Sequence, residues 1–448
     1  MVAKIYPDRH VRYFDIRKLT PREVFRLMGV GETDIDTLLS DSKKLSRSAL
    51  YKLAGNSIVV NCLYEILTRL WLGDGQTGKK RMYVQGDFSE ERTLKQLPIP
   101  LTANVITLCS GYDSQCLALQ RLAEYVSYNH WASGGQSFTF NLVAWSEFDP
   151  DSKQPIEKQP AVVAHNMLFP QWADRNVGDM TKVDWSQFRG ANIDLLTYST
   201  PCQSISNAGK QEGMAKDSGT RSSIVFYTEN CIRELRPKVL LQENVKAILN
   251  KKNKPDFDQW CKIVEDCGYT NYITVMNAKH YGVAQNRERM FMVSIRNDLK
   301  VEGFKFPEPH ADIPVIADIL EDTDDPTYFL KPAAVIKYLQ HNETEECTYI
   351  ETDHELGEEE IEKTLSLSVG EAMPSLKKTA NCVRMKKKQY KPRADKVQCI
   401  GHMYPDNPNH PLAGRIYSMY GVSPNVTANG GGNSQPIVLI EYEQKKRK

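Results

Sequence analysis

The hydrophobic and polar positions follow different rhythms along the chain. In LTPREVFRLMGVG, Val24, Phe25, Leu27 and Met28 recur at helical spacing. Thr20 is placed to cap that helix, Pro21 opens it, Glu23 completes a capping box, and Gly29 or Gly31 ends it. A second helix is expected over Ser46–Ala54, stopped at Gly55. A third, over Ser57–Leu72, is apolar on most sides and should pack deeply. Residues 1–72 therefore read as mostly helical. From 104 to 300 short apolar runs alternate with helical patterns: NVITLCS then CLALQRLAEYV, FNLVAWSE then IEKQPAVVAHN, IDLLTYS then IVFYTENCIREL, KVLLQEN then FDQWCKIVEDC. This is the rhythm of an α/β fold with a doubly wound sheet. YITVMNA and RMFMVSI would close it as a strand pair.

Residues 73–103 are rich in Gly, Pro and charge and read as a connector. Residues 413–448 return to short strand signals around a Gly-rich turn, NGGGNS, and end in a basic tail. Charge sharpens the picture of residues 306–412. The whole chain has 448 residues with 57 Lys+Arg against 56 Asp+Glu, which excludes a uniformly basic coat. Yet 321–362 carries 14 acidic and 2 basic residues, whereas 377–396 carries 9 basic and 1 acidic. Any contact with nucleic acid would be local. No apolar run reaches the roughly 18 residues of a membrane span, and the charged start is no secretory signal, so a cytoplasmic protein without membrane contact is expected. The ten cysteines form no C-x-x-C pair. No metal site is expected, and the thiols read as reduced, one of them a candidate nucleophile.

Three polar clusters stand at strand ends. Cys202, in Ser199-Thr200-Pro201-Cys202-Gln203, follows the strand IDLLTY and opens the polar loop 204–220. Alone it reads as a small buried thiol. Glu243, in Gln242-Glu243-Asn244-Val245, ends KVLLQEN and would point into the same crevice, although Asn244 there would suit a mere cap. Arg287 and Arg289, in Gln285-Asn286-Arg287-Glu288-Arg289, project to one side of an extended segment, as a solvated face would also do.

In this order and spacing, the three clusters resemble the cytosine-C5 DNA methyltransferases across about 104–300. PCQ, ENV and Q-x-R-x-R are that family's signature set. The resemblance implies a Rossmann-like sheet binding S-adenosylmethionine, with a smaller target-recognition domain. It implies Cys202 as the thiolate that adds to carbon 6 of cytosine, and Glu243 as the group on N3 and the exocyclic amine. Arg289, supported by Arg287, would hold O2. The base must leave the duplex, with 204–220 as the lid. Methyl-donor contacts are implied for Ser110, Gly111, Tyr112, Asp113 and Ser114, where Asp113 replaces the usual second glycine. Further donor contacts are implied for Glu147, Phe148, Asp179, Met180 and Pro201. DNA contacts are implied for Gln203, Ser204 and Gln285. The implied partner is double-stranded DNA, read by a monomer, and a cognate restriction endonuclease is a partner the resemblance allows. A transfer-RNA enzyme and a non-catalytic DNA-binding relative are the alternatives.

The N-terminal RKLTPREVFRLMGV and Ala54-Gly55-Asn56-Ser57-Ile58 resemble the family's last two motifs, and GRIYSMYGVSPNVTANGGG resembles the stretch that normally precedes them. The chain thus looks circularly permuted, of bacterial or phage type. Asn56 and Ser57 would then line the donor pocket near Gly111. The implied organisation is a late-motif segment (1–72), the connector (73–103), a catalytic domain (104–305), a target-recognition domain (306–412) and a return segment (413–448). Lys386, Lys387 and Lys388, in the basic run, would track phosphates.

Overall fold

The computed structural model describes residues 1–73, 102–131, 137–202, 204–205, 213–301, 303–342, 347–352, 356–370, 397, 399–402, 415–425 and 436–442. In chain order these form β1 (Val2–Ile5), β2 (Val11–Lys18), α1 (Pro21–Leu27), α2 (Glu32–Leu39), α3 (Arg47–Asn56), α4 (Val60–Leu72), β3 (Thr102–Leu108) and α5 (Ser114–Trp131). There follow β4 (Thr139–Ser146), α6 (Pro160–Leu168), β5 (Leu195–Tyr198), α7 (Thr228–Leu235), β6 (Val239–Val245), α8 (Lys254–Asp266), β7 (Tyr269–Asn277) and β8 (Glu288–Arg296). The last elements are α9 (Pro332–Asn342), β9 (Thr348–Glu351), α10 (Glu358–Gly370), β10 (Cys399–His402), β11 (Arg415–Ser418) and β12 (Ile437–Tyr442).

Two compact units result. One holds residues 24–314 and 425–430, the other 1–23, 315–424 and 431–448. The first unit is built on the sheet β4-β3-β5-β6-β8-β7. Its first four strands are parallel, and β8 runs antiparallel between β6 and β7. Parallel strands are covered on both faces, so they read as unbroken apolar runs. Ile106, Leu108, Leu196, Tyr198 and Leu240 pack with Ile232 of α7 and Trp260 of α8. On the opposite face Val105, Leu195, Leu241 and Val293 are equally buried. The chain leaves β3 for β4 on one side and later takes up β5 on the other. That reversal opens a crevice at the carboxyl end of β3.

The segment 24–73 belongs to this unit. Arg121 of α5 donates to Asn61 Oδ1 at 2.8 Å and to the Gly29 carbonyl at 2.6 Å, and Asn61 Nδ2 reaches the Tyr281 carbonyl at 2.8 Å. Ser46 caps α3 through the amide of Ala49.

The second unit carries the sheet β10-β11-β12-β2-β1-β9. Val335, Tyr338 and Leu339 of α9 pack on Val2, Phe14 and Ile16, while Ile361 of α10 joins Ala3, Ile5, Val11 and Tyr13. The acidic residues Glu358, Glu359 and Glu360 form the exposed first turn of α10, where the helix dipole favours them. The Thr20–Glu23 capping box forms, and Glu23 also holds Arg17 through two buried contacts of 2.5 and 2.7 Å. The expectation of a mostly helical 1–72 fails for residues 2–18. There Val11 and Tyr13 face one side of β2 and Phe14 and Ile16 the other, so the strand is apolar on both faces, and the N-terminal hairpin pairs with β9 and β12. The hairpin accordingly joins 315–424 rather than the segment to which 1–72 was assigned.

Candidate active site

Four strand ends converge at the crevice. The registers Leu108↔Tyr198, Tyr198↔Gln242 and Gln242↔Met292 bring the ends of β3, β5, β6 and β8 level. In β6 alternation sends Gln242 toward α8, where its Oε1 accepts from Trp260 Nε1 at 3.0 Å, and sends Glu243 to the other face. Glu243 lies opposite Phe291 and Val245 opposite Arg289, so Glu243 and Arg289 are diagonal neighbours on one face. Arg289 Nε approaches Glu243 Oε1 at 3.1 Å, with 14% and 11% of the two side chains exposed.

Cys202 lies four residues past β5 on a loop held from three directions. Ser199 Oγ donates to the Cys109 carbonyl at 3.0 Å, Asn244 Nδ2 to that of Thr200 at 3.2 Å, and Ser222 Oγ to that of Pro201 at 2.8 Å. Cys202 is half-buried. Burial pushes its thiol above the ordinary range, the Glu243 charge pushes the same way, and Arg289 and Arg287 oppose. Burial likewise raises the Glu243 carboxyl, against the two arginines. Burial thus works against the charged form of both groups, the thiol and the carboxyl, while the two arginines work for it. Asn244 and Ser222 were missed as positioning groups. Asn244 carried a signal, its place at a strand end; Ser222 carried none.

Arg287 is 3% exposed and turns away from a ligand role. Its guanidinium donates to the carbonyls of Gly55 at 3.0 Å and Ser57 at 2.6 Å, and to Asn425 Oδ1 at 2.9 Å. Burial and the neighbouring Arg289 pull its pKa down to about 9. It joins three distant stretches of chain beneath the Cys202 site.

At the carboxyl end of β3, Gly111 has φ +60 and open space where a Cβ would stand. Its amide donates to Glu147 Oε2 at 2.8 Å. Glu147 directly follows β4, and desolvation lifts its carboxyl to about 7. Phe148 beside it is half-buried. Ser110, Tyr112, Asp113 and Ser114 are all buried. Tyr112 OH and Ser57 Oγ are 2.7 Å apart, so Ser57 lies beside the Gly111 turn, while Asn56 is exposed. Asp179 caps the turn over Met180 through Thr181, and Met180 is buried with its Sδ 3.7 Å from Cys109 Sγ.

Two residues expected at DNA are placed otherwise. Gln285 is fully buried and donates to the Leu27 carbonyl at 3.3 Å, because its segment packs against the end of α1. Ser204 is 3% exposed, its carbonyl taken by the Gly213 amide at 2.9 Å. Gln203 and Lys386, Lys387 and Lys388 lie outside the described residues. Among the described residues no group of His, Cys, Asp or Glu is arranged to hold a metal, and no helix is long and apolar enough to cross a membrane.

Known proteins are similar to this chain in sequence. The M2.ScrFI type II methyltransferase of Lactococcus lactis subsp. cremoris is 39% identical over 166 residues, 37% of this chain and 45% of that protein. The orphan methyltransferase M.SssI of Spiroplasma monobiae is 47% identical over 111 residues, 24% of this chain and 29% of that protein. In both cases the matched stretch spans less than half of the relative. The orphan methyltransferase M.Rho11sI of Bacillus phage rho11s is 26% identical over 348 residues, 68% of this chain and 65% of that protein. The family described as C-5 cytosine-specific DNA methylase matches residues 3–71 and 104–419, so the stretches that build the site fall within it, and the chain belongs to that family.

Proposed function

We propose that this protein methylates carbon 5 of cytosine in a specific duplex DNA sequence, with S-adenosylmethionine as donor. The observation that carries this reading is the convergence of Cys202, Glu243 and Arg289 at one end of the sheet, with the Arg289–Glu243 ion pair close enough to act on the thiol. Carbon 5 of cytosine is a poor nucleophile. Addition of the Cys202 thiolate to carbon 6, with proton donation from Glu243 to N3, converts the ring to an enamine whose electron pair lies on carbon 5. A carboxyl raised by burial suits that donation. Arg289 holds the carboxyl and presents a fixed positive charge to O2. Loss of the carbon 5 proton after transfer restores the double bond and expels Cys202. The target base leaves the duplex to reach this loop.

The residues at the ends of β3 and β4 fit the donor. The open space at Gly111 admits it close to backbone, Glu147 supplies the acceptor a ribose diol needs, and Phe148 offers a ring face. When bound, S-adenosylmethionine supplies an electrophilic methyl on sulfur.

The circularly permuted order is part of this reading. It is supported by the Ser57–Tyr112 hydrogen bond and by the hold of Arg287 on Gly55 and Ser57. The unit holding 315–424 would read the target.

Labelled methyl incorporation into duplex DNA and transfer RNA, run in parallel, tests the proposal. The wild type should label DNA, and Cys202→Ala should lose transfer while keeping its fold and donor binding. Labelling of transfer RNA alone would establish the first alternative, and DNA binding without transfer the second. Undiminished turnover in Cys202→Ala would overturn the nucleophile.

A further inference from the structure

The turn that follows β3 contains a buried acid with no part in the chemistry above. Asp113 is fully buried at φ +69, where side chains other than glycine are uncommon. Its carboxylate is satisfied from separate elements. Oδ2 accepts from Thr107 Oγ1 of β3 at 2.8 Å, and Oδ1 accepts from the Cys116 amide in the first turn of α5 at 3.1 Å. His165 Nε2, from α6, lies 3.5 Å from Oδ2. His165 is itself fully buried and stacks on Trp145 of β4, ring centroids 3.6 Å apart and planes 17° from parallel. Trp145 is fixed in turn by its indole N–H on the Trp172 carbonyl at 2.9 Å.

The carboxylate therefore ties together the end of β3, the start of α5 and the middle of α6, and these surround the Ser110–Ser114 turn. Glycine at 113 would adopt the same backbone without strain. It would leave Thr107 Oγ1 and the Cys116 amide without this acceptor in a buried place, and would remove the carboxylate 3.5 Å from His165 Nε2, a buried ring nitrogen that makes no hydrogen bond. The sequence accepts an unfavourable φ here, and what it gains is a pinned turn.

We propose that Asp113 and His165 are positioning residues for the methyl-donor site, acting as a buried acid–imidazole pair that holds the Gly111 turn and the Glu147 strand end in the donor-binding arrangement. The inference rests on the donor site proposed above. A turn released from this hold would populate the binding shape only part of the time, and apparent affinity would fall by that fraction.

Calorimetric titration with S-adenosylmethionine tests the pair, beside amide exchange of the unliganded protein. Asp113→Gly and His165→Leu should each weaken donor binding about tenfold, as expected if the competent turn falls to about a tenth of the population. Both should speed exchange of the Cys116 and Leu117 amides without donor present. His165→Gln, which keeps an N–H near Asp113, should restore most of the affinity that His165→Leu loses. The KM for donor should rise in step while the KM for DNA stays still. Donor binding unchanged in Asp113→Gly, or His165→Gln no better than His165→Leu, would overturn the proposal. Should Asp113→Gly not fold, the two His165 variants decide alone. A wild type that binds no S-adenosylmethionine overturns the donor site and this pair together, whereas a wild type that binds beside unaffected variants overturns only the pair.

Discussion

Replacing Glu243 by glutamine should move two properties of the site in opposite directions. Glu243 and Arg289 are both largely buried, 3.1 Å apart. Two unit charges at that distance attract by about 5 kcal/mol at an effective dielectric near 20. Desolvation of the two ions offsets most of this, but removal of one partner leaves the other buried and costs about 3–5 kcal/mol. Glutamine fills the same space and keeps an acceptor toward Arg289, so the lower end, about 3 kcal/mol, is expected for the catalytic unit. Methyl transfer should fall by about two to four orders of magnitude, because glutamine has no proton to give N3.

The thiol should respond the other way. Burial is the first cause of its raised pKa and the Glu243 charge the second, while Arg289 and Arg287 oppose. Neutralising Glu243 removes a raising influence and leaves the lowering ones. The thiolate fraction at neutral pH rises, and with it the rate of alkylation. The assay is iodoacetamide modification of Cys202, followed by mass spectrometry of its peptide, on folded wild type and Glu243→Gln under the same conditions. Faster alkylation together with lost transfer is the expected pair. Alkylation at the wild-type rate, or slower, would refute the electrostatic reasoning even if transfer is lost, since a merely loosened site also loses transfer.

Two further outcomes follow from the same unit. The Glu147 carboxyl is lifted by desolvation to about 7, and only when ionised does it offer both oxygens as acceptors to the two hydroxyls of a ribose diol, so donor affinity should fall as pH drops through about 7. Titrations from pH 6 to 8 check this, and Glu147→Gln should bind weakly with a flat profile; a sloping profile in that variant would contradict the assignment. Gly29 has φ +72, and a Cβ there would collide with Asn61 Oδ1, which carries the Arg121 contact. Gly29→Ala should cost about 3 kcal/mol, beginning with about 1–2 kcal/mol for the left-handed backbone. Scanning calorimetry should show a melting temperature about 5 °C lower, and a shift within a degree would show that 24–73 is not held as described.

What the sequence discloses depends on whether the cause is local. The strands around Ile106, Leu196 and Leu240 were legible because burial on both faces demands unbroken apolar runs, and the cap at Thr20 and Glu23 because its partners stand three residues apart. β1 and β2 were not. VAKI and VRYFDIRK are short and charged, and their partners, residues 348–351 and 437–442, lie at the other end of the chain. The same division runs through the site. Cys202 and Glu243 were singled out through the resemblance of PCQ and ENV to a family's signature, since Cys202 alone reads as a small buried thiol; the structure brings the two near each other at one end of the sheet. Gln285 could not be assigned its role, since its partner, the Leu27 carbonyl, belongs to a segment 258 residues away. Asp113 is the sharpest case. In sequence it is a departure from an expected glycine and reads as a weakness in the donor loop. In the structure it has Thr107, Cys116 and His165 around its carboxylate, and only His165 is remote in sequence. A substitution that looks like a defect when judged by backbone freedom alone becomes a constraint once its partners are counted. That is why the loop's specificity for this turn has to be sought in α6 as much as in the turn itself.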